Sequence, residues 1–226
     1  MKIGILQTGS APETLHPRHG DYDELFIKLL ADRGFEFRNY PVLNNVFPEA
    51  IHDADGWLIT GSRFGVYEDH EWIPPLEAFI RQAYAASIPI VGICFGHQII
   101  AQALGGKVEK FSGGWSIGAV DYKVRDQARP LTALAFHQDQ VTEIPREAQV
   151  LASTDFCKHA MLSYDDHALT IQPHPEFTRE FLADLLEVRK SVLPPDISAA
   201  ALESLDKELS SIAMADMIEN FFKKKK

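Results

Sequence analysis

The sequence predicts an α/β fold with a mostly parallel central sheet and helices on both of its faces. Short apolar runs alternate with amphipathic helical patterns over residues 2–106. This alternation is typical of units in which a helix returns the chain to the next parallel strand. The 226 residues are enough for one such domain. Hydrophobic residues make up 46% of the chain and charged residues 24%, which is the balance of an ordinary globular protein.

The strands of this first part are predicted from continuous apolar runs, which indicate strands buried on both faces. They cover residues 2–8, 35–42, 56–61 and 88–94. Three helices are predicted between and after these strands, at residues 21–34, 72–87 and 96–106. Gly34 suits the end of the first helix, and Pro74 and Pro75 suit the first turn of the second.

The pattern changes after Gly106, where short strands separated by polar turns follow one another. They are predicted at residues 107–111, 119–124, 148–154, 159–164 and 168–174. We expect them to form a small antiparallel sheet and the last strand of the main sheet. Two helices, at residues 178–193 and 198–222, are predicted to close the chain. Residues 1–190 are therefore expected to form the main domain, and residues 191–226 a helical extension packed on it.

Charge and hydropathy exclude several classes of function. The net charge of −10 argues against a broad nucleic-acid surface, which requires clustered Lys and Arg. The basic run Lys223–Lys226 is expected to be a solvated tail. The sequence has neither an unbroken apolar stretch of membrane-spanning length nor the pattern of a signal peptide. Two cysteines, Cys94 and Cys157, do not make a disulfide framework, so we expect a cytoplasmic protein.

The stretch GICFGHQ, residues 92–98, places Cys94 between a buried strand and a helix. A residue on such a turn adopts a strained backbone, and its close neighbours must be small, here Gly92 and Gly96. This is the G-x-C-x-G form of a nucleophile elbow. The positive end of the helix favours a thiolate, and the N–H of Phe95 is predicted to point toward an oxyanion. The alternative is a buried cysteine that serves as a small apolar residue, which Cys157 fits.

A candidate base lies in the stretch IQPHPEFT, residues 171–178. Pro173 and Pro175 hold this segment extended. Positions i and i+2 of an extended chain project to the same side, so the Glu176 carboxylate can reach the His174 imidazole. Such a carboxylate fixes the tautomer and stabilises the imidazolium, as the third member of a triad does. The alternative is that the motif marks a strand end before a helix.

We expect neither a metal nor a cofactor. A zinc site would need a C-x-x-C pair or two histidines at ligand spacing, and the sequence contains no such pattern.

The two motifs together, separated by 80 positions from Cys94 to His174, resemble the class I glutamine amidotransferases. Residues 136–145 and 150–162 are similar to the glutaminase domain of GMP synthase. The resemblance covers residues 50–180 and implies a flavodoxin-like amidotransferase fold for residues 1–190. It also implies a catalytic triad of Cys94, His174 and Glu176.

The resemblance further implies a glutamine-binding role for Gln98 and an oxyanion loop at residues 60–65, with a second backbone N–H near Ser62. The family usually carries Gly-Gly-Pro in this loop, whereas this chain has Gly61-Ser62-Arg63. Residues 113–118 lie where the family contacts the amino-acid end of its substrate. Trp115 and Ser116 of this segment are candidate pocket residues, and so is His137, which could equally be a structural histidine.

Three functions are compatible with these observations. The first is a glutaminase that passes ammonia to an acceptor, on a separate synthetase subunit because the sequence has no glycine-rich phosphate loop of its own. The second is a stand-alone γ-glutamyl peptidase or hydrolase, whose substrate the His and Arg side chains of residues 9–26 could recognise. The third is a non-catalytic regulatory or binding subunit. The complete triad favours the two enzymes, with the glutaminase first.

Overall fold

The computed structural model describes residues 1–224 and confirms the α/β class. The strands are β1 (Lys2–Leu6), β2 (Glu36–Tyr40), β3 (Gly56–Ile59), β4 (Ile90–Ile93), β5 (Lys107–Lys110), β6 (Ser116–Val124), β7 (Leu131–His137), β8 (Asp139–Glu143), β9 (Ala148–Ser153), β10 (Met161–Tyr164) and β11 (Ala168–Ile171). The α-helices are α1 (His16–His19), α2 (Tyr22–Leu29), α3 (Ile73–Ala85), α4 (Phe95–Ala103), α5 (Arg179–Arg189), α6 (Pro195–Ser204) and α7 (Ser211–Lys223). Two 3₁₀ turns lie at Glu13–Leu15 and Val42–Asn44.

Five strands form the parallel half of a nine-stranded sheet. Their order is β2-β1-β3-β4-β11, and every neighbouring pair in this run is parallel. This is the flavodoxin-like order, in which ligands bind beyond the carboxyl ends of the strands. β11 comes late in the sequence but pairs directly with β4, with Ile171 opposite Ile93. The segments after β3, β4 and β11 therefore meet at one edge of the sheet.

Both faces of the parallel half are covered by helices, as predicted. Alternate residues of β3 serve opposite faces, since successive side chains of a strand point in opposite directions. Trp57 and Ile59 pack in a core with α3 and α4, whereas Leu58 packs in a second core with α2 and α7. This two-sided burial explains why the strands carry almost continuous apolar sequences.

Four antiparallel strands, in the order β10-β9-β6-β7, extend the sheet beyond β11. The predicted small antiparallel sheet is the separate pair β5 and β8. The sequence did not predict β7 and β8 as strands. A single residue, Gln138, separates them, and β8 is rich in polar side chains, so the segment lacks the turn and alternation signals that mark a strand.

The predicted helix at residues 198–222 is wrong, because the chain forms two helices there. Residues 205–210 leave the helical path between α6 and α7. The Arg179 guanidinium donates hydrogen bonds to the carbonyls of Leu205 (2.7 Å) and Lys207 (2.6 Å), and the Ser210 N–H donates to Thr132 O (2.8 Å). These tertiary hydrogen bonds compete with helix continuation, and sequence periodicity does not report them. Helix α2 likewise ends at Leu29, five residues before the predicted Gly34.

The predicted helical extension includes α6, which packs on β6, and α7, which packs on β7 and α2. Residues 225 and 226, the end of the extension and of the predicted solvated tail, lie outside the described residues. Lys223 belongs to α7 and forms an ion pair with Glu219 (2.6 Å), so this part of the basic run is held by the fold. None of the helices within residues 1–224 combines the length and apolar character that a bilayer span requires.

Candidate active site

Cys94 lies at the sharp turn between β4 and α4, as predicted. Its backbone φ of 53° is in the left-handed region, which a residue with a side chain rarely adopts, and such strain is typical of functional sites. The turn is held by the Cys94 N–H, which donates to Ile171 O (2.8 Å), and by the Gln98 N–H, which donates to Cys94 O (3.1 Å). The side chain is 6% exposed and lines a cavity at the carboxyl edge of the sheet.

The two glycines that flank Cys94 are required by close backbone contacts. A Cβ added at Gly96 would lie 2.3 Å from the carbonyl oxygen of Ile59, and one added at Gly92 would lie 2.4 Å from the carbonyl oxygen of Gly96. Both distances are far inside van der Waals contact. The G-x-C-x-G spacing therefore allows α4 to start directly against β3 and β4.

His174 and Glu176 form a buried pair immediately after β11. The two atoms His174 Nδ1 and Glu176 Oε1 are 2.6 Å apart, and both residues are 5% exposed. The backbone N–H of His174 donates to Leu134 O (2.8 Å), which fixes the extended segment against β7. The structure thus places the two side chains on the same side of the chain, at hydrogen-bonding distance.

The protonation of His174 follows from its two partners. Burial alone would lower the pKa of the imidazole, but the Glu176 carboxylate, followed by Cys94, outweighs burial and raises it from 6.5 to about 10. A hydrogen bond with the Cys94 side chain contributes to this increase. Nδ1 donates to Glu176, so Nε2 is the ring atom available to the sulfur. The arrangement can therefore hold a thiolate beside an imidazolium.

Phe177 is a site residue that sequence reasoning missed. Its ring stacks on His174 with centroids 4.0 Å apart and planes at 8°. Phe181, at 4.4 Å between centroids, and Tyr22, at 6.1 Å, support the other parts of the Phe177 ring. An aromatic face against an imidazolium provides both orientation and cation–π stabilisation. The available signal was the aromatic residue directly after the His-Pro-Glu motif.

The loop after β3 is held in place where it approaches Cys94. The Thr8 hydroxyl donates to Thr60 O (2.9 Å), the Thr8 N–H donates to the Thr60 hydroxyl (3.0 Å), and the Gly96 N–H donates to Thr60 O (3.1 Å). Ser62 lines the cavity, and Phe95 is the first residue of α4, where N–H groups have no intrahelical acceptor. The oxyanion roles of Ser62 and Phe95 remain predictions that this placement suits.

The side chain of Arg63 replaces the proline that the family usually carries in this loop. It is exposed, lines the cavity and lies over the Phe64 ring at 4.8 Å.

The cavity has a volume of about 300 Å³, which is within the range of small-molecule sites. Its lining combines triad residues, aromatic side chains and charged groups. Residues that line it are Tyr22, Ser62, Arg63, Phe64, Gly65, Tyr67, Glu68, Cys94, Gln98, Lys110, Trp115, Phe136, His137, Gln138, Asp139, His174, Phe177, Leu185, Arg189, Val192 and Leu193. Ser116 is absent from this lining and instead begins β6, paired with His137 across the ladder.

Gln98 and His137 form part of the buried cavity wall. Gln98 Nε2 donates to Asp139 O (2.9 Å) and to Gln172 Oε1 (3.0 Å), which leaves its Oε1 for a ligand. Burial lowers the pKa of His137 to about 4, so the ring is neutral at pH 7. Its Nδ1 lies 3.2 Å from Asp139 O, and Nε2 has no hydrogen-bond partner within residues 1–224. Nε2 is therefore a free acceptor.

The basic side chains of residues 9–26 do not line the cavity. Arg18 and His19 both bind Asp184 of α5, at 2.6 and 2.7 Å. Tyr22 is the residue of this segment that lines the cavity. Its helix is anchored by Asp21, which caps α2 and accepts hydrogen bonds from the Ser10 hydroxyl (2.8 Å) and the Ala11 N–H (2.8 Å).

Cys157 differs from Cys94 in its position, because it lies away from the cavity. It is 3% exposed, it is not a lining residue of the cavity, and burial raises the pKa of its thiol to about 12. Both cysteines are free. Within residues 1–224, no three His, Cys, Asp or Glu side chains lie close enough together to hold a metal ion.

Comparison with known proteins identifies the family of this chain. The family described as glutamine amidotransferase class-I matches residues 20–193. Gamma-glutamyl peptidase 4 of Arabidopsis thaliana is 33% identical over 184 residues, which cover 75% of this chain and 73% of the relative. The glutamine-hydrolyzing GMP synthase subunit of Archaeoglobus fulgidus is 30% identical over 185 residues, which cover 76% of this chain and 95% of the relative. These relatives support a hydrolase or an amidotransferase.

The fold is also shared with solved structures. A glutamine amidotransferase from Thermotoga maritima superimposes with a TM-score of 0.78 at 18% identity, covering 98% of this chain and 97% of the other. The family match spans more than half of the sequence, and the resemblance predicted from the two motifs is confirmed. The chain belongs to the class-I glutamine amidotransferase family.

Proposed function

We propose that this protein hydrolyses the amide bond of γ-glutamyl compounds through a γ-glutamyl thioester on Cys94. The observation that carries the proposal is the meeting of three groups at one cavity. A strained cysteine stands at a helix N-terminus, a histidine with a raised pKa lies beside it, and a buried carboxylate 2.6 Å from that histidine orients the ring. This is the arrangement that nucleophilic catalysis by a thiolate requires.

The first half of the reaction forms the thioester. The Cys94 thiolate attacks the γ-carbonyl carbon, and the carbonyl oxygen becomes an oxyanion held by the Phe95 N–H and a backbone N–H of the loop at Ser62. Loss of one such donor typically costs about 100- to 1000-fold in rate. His174 Nε2 then gives its proton to the departing nitrogen, and the C–N bond breaks. The amine or ammonia leaves, and the γ-glutamyl group stays on the sulfur.

The second half releases glutamate. The neutral His174 ring takes a proton from water, and the resulting hydroxide attacks the thioester carbon. The C–S bond breaks, and the sulfur leaves as the thiolate beside the newly formed imidazolium. Glu176 stabilises the positive ring in both halves without itself accepting a proton. Gln98 can accept a hydrogen bond from the substrate ammonium through Oε1, and the neutral His137 lies in the wall of the same cavity.

The substrate we favour is a γ-glutamyl compound larger than glutamine. A relative named γ-glutamyl peptidase supports this choice. The cavity that Cys94 lines is also lined by Trp115, Phe136 and Tyr67, which offer aromatic surface to a leaving group that ammonia would not use. The second candidate is an amidotransferase that passes ammonia to a separate synthetase subunit, which the similarity to the GMP synthase subunit of Archaeoglobus fulgidus favours.

Glutamate release measured with γ-glutamyl dipeptides and with glutamine tests the proposal. Cys94→Ala is expected to abolish turnover, whereas Cys157→Ala is its matched control and should retain it. Dipeptide cleavage well above glutamine hydrolysis supports the peptidase. Slow glutamine hydrolysis that rises sharply when a synthetase subunit is added supports the amidotransferase. Turnover of neither substrate, or turnover that survives in Cys94→Ala, would overturn the proposed chemistry.

A further inference from the structure

Arg189, near the end of α5, is a cation without a partner in the wall of the active-site cavity. It is half-buried, and its guanidinium makes no ion pair or hydrogen bond with any group of residues 1–224. A partly desolvated charge that lacks a counter-ion is unfavourable. The protein contains 32 acidic residues against 22 basic ones, so the missing partner does not reflect a shortage of carboxylates.

The sequence of α5 keeps carboxylates away from Arg189. The neighbouring positions on the helix surface are Leu185 and Leu186, and Val192 and Leu193 follow in the turn after the helix; all four are apolar. The acidic residues of the same region are engaged elsewhere, because Asp184 binds Arg18 and His19, and Glu187 forms an ion pair with Lys190. Arg189 therefore stands on the apolar side of an amphipathic helix, where a structural arginine would be out of place.

Tyr22 presents a second free group to the same cavity. Its hydroxyl has no hydrogen-bond partner among the described residues, although its ring packs on Phe177. Burial raises the pKa of Tyr22, and the charges of Cys94 and Glu176 act in the same direction, while Arg189 opposes them. The hydroxyl is therefore protonated at neutral pH and close enough to both Arg189 and the triad for their charges to act on it.

We propose that Arg189 and the Tyr22 hydroxyl bind a carboxylate of the substrate. The guanidinium supplies a fork of N–H donors that matches the two carboxylate oxygens, and the phenol supplies a further donor. This inference rests on the proposed γ-glutamyl chemistry and names the group that holds the substrate against Cys94. The carboxylate has two possible sources: the α-carboxylate of the γ-glutamyl group, or a carboxylate on the leaving amine.

The test compares γ-glutamyl-alanine with γ-glutamyl-alaninamide, whose leaving group has no carboxylate. Arg189→Ala is expected to raise KM about 10- to 100-fold, the usual loss for a charge-assisted hydrogen bond. Tyr22→Phe should raise KM less, and Arg189→Lys should recover part of the loss. If Arg189→Ala raises KM for both substrates, Arg189 binds the α-carboxylate of the γ-glutamyl group. If KM rises only for γ-glutamyl-alanine, Arg189 binds the carboxylate of the leaving group.

Lys110→Ala is the matched control, since it removes another cation from the lining of the same cavity. If Lys110→Ala raised KM as much as Arg189→Ala, the loss would come from the overall positive charge of the cavity and not from a specific contact. That result would overturn the subsite. Unchanged kinetics in Arg189→Ala would overturn it while leaving the proposed function intact. If the wild type turns over neither substrate, binding of γ-glutamyl-alanine, which carries both carboxylates, is followed by calorimetry instead of kinetics. Binding that Arg189→Ala abolishes supports the subsite, and binding that it leaves unchanged overturns it.

Discussion

The carboxyl edge of the parallel sheet and the wall that faces it are built in different ways. At the sheet edge, Cys94, Ser62 and the His174–Glu176 pair each follow a buried strand, so backbone hydrogen bonds and close glycine contacts fix their positions. The facing wall takes side chains from the antiparallel strands and the end of α5, among them Phe136 and Arg189.

From this difference we assign the chemical reaction to the sheet edge and the choice of substrate to the facing wall. The groups that break the amide bond follow directly on buried strands, whereas Phe136 lies near the end of β7 and Arg189 at the end of α5. Substitutions at the sheet edge are therefore expected to abolish the reaction, and substitutions on the facing wall to change KM. Four variants test this distinction.

The largest effect is expected for Glu176→Gln, which keeps the shape of the sheet edge and removes its charge. Glutamine does not stabilise the imidazolium, so kcat should fall about 10³- to 10⁴-fold. In the wild type, the raised pKa means that His174 keeps its proton up to about pH 10, and activity should decline as pH rises through that value. The variant should lose activity at a lower pH. If the alkaline limb of the kcat/KM profile were the same in the variant and the wild type, the Glu176 charge would not be the cause of the raised pKa of His174.

The next effect is on stability at the elbow. Gly96→Ala places a methyl group 2.3 Å from Ile59 O, and this contact with backbone should lower the free energy of unfolding by about 3 kcal/mol. Gly105→Ala is a control in open space with a φ of 93°, which should cost about 1–2 kcal/mol. Urea unfolding measures both. Equal losses would mean that the elbow is not tightly packed.

Phe177 tests whether the stacked ring acts on the triad. Phe177→Leu keeps an apolar side chain but removes the aromatic face, so kcat/KM should fall about 10-fold and the alkaline limb should move about one pH unit lower. A loss of stability without any movement of the pH profile would show a purely structural role.

The smallest effect is expected for a contact between the segment after β3 and the antiparallel strands of the facing wall. The Tyr67 hydroxyl of that segment donates to the Asp139 carboxylate of β8 (2.9 Å). Tyr67→Phe should change KM a few-fold and the free energy of unfolding by about 1 kcal/mol. A change in kcat as large as that of Phe177→Leu would contradict the separation between edge and wall.

The residues of the sheet edge could be predicted from the sequence, because local backbone constraints fix their positions. The glycines around Cys94 and the prolines around His174 record backbone conformations that few residues permit, and the apolar runs record strands covered on both faces. These signals predicted the parallel half of the sheet and brought Cys94, His174 and Glu176 together.

The structure of the facing wall could not be predicted from the sequence, because it depends on contacts between residues far apart in the chain. The break between α6 and α7 depends on Arg179, whose hydrogen bonds reach Leu205 and Lys207 across the surface. In the sequence, Arg189 is an ordinary helix residue, and only the structure shows that it and several apolar neighbours line the cavity. The strand β8 carries a mixed polar sequence and pairs with β5, and the apolar strand β7, separated from it by one residue, pairs with β6. A single sequence does not encode such partners in its periodicity.

The most direct test is labelling with the chloroketone analogue of glutamine, in which a chloromethyl ketone replaces the carboxamide. A thiolate that faces a γ-glutamyl site should be alkylated once, on the peptide containing Cys94, and a γ-glutamyl dipeptide should protect it. Mass spectrometry of the digested protein reads the position of the label. Labelling of Cys157, or of neither cysteine, would contradict the assignment of Cys94 as the nucleophile.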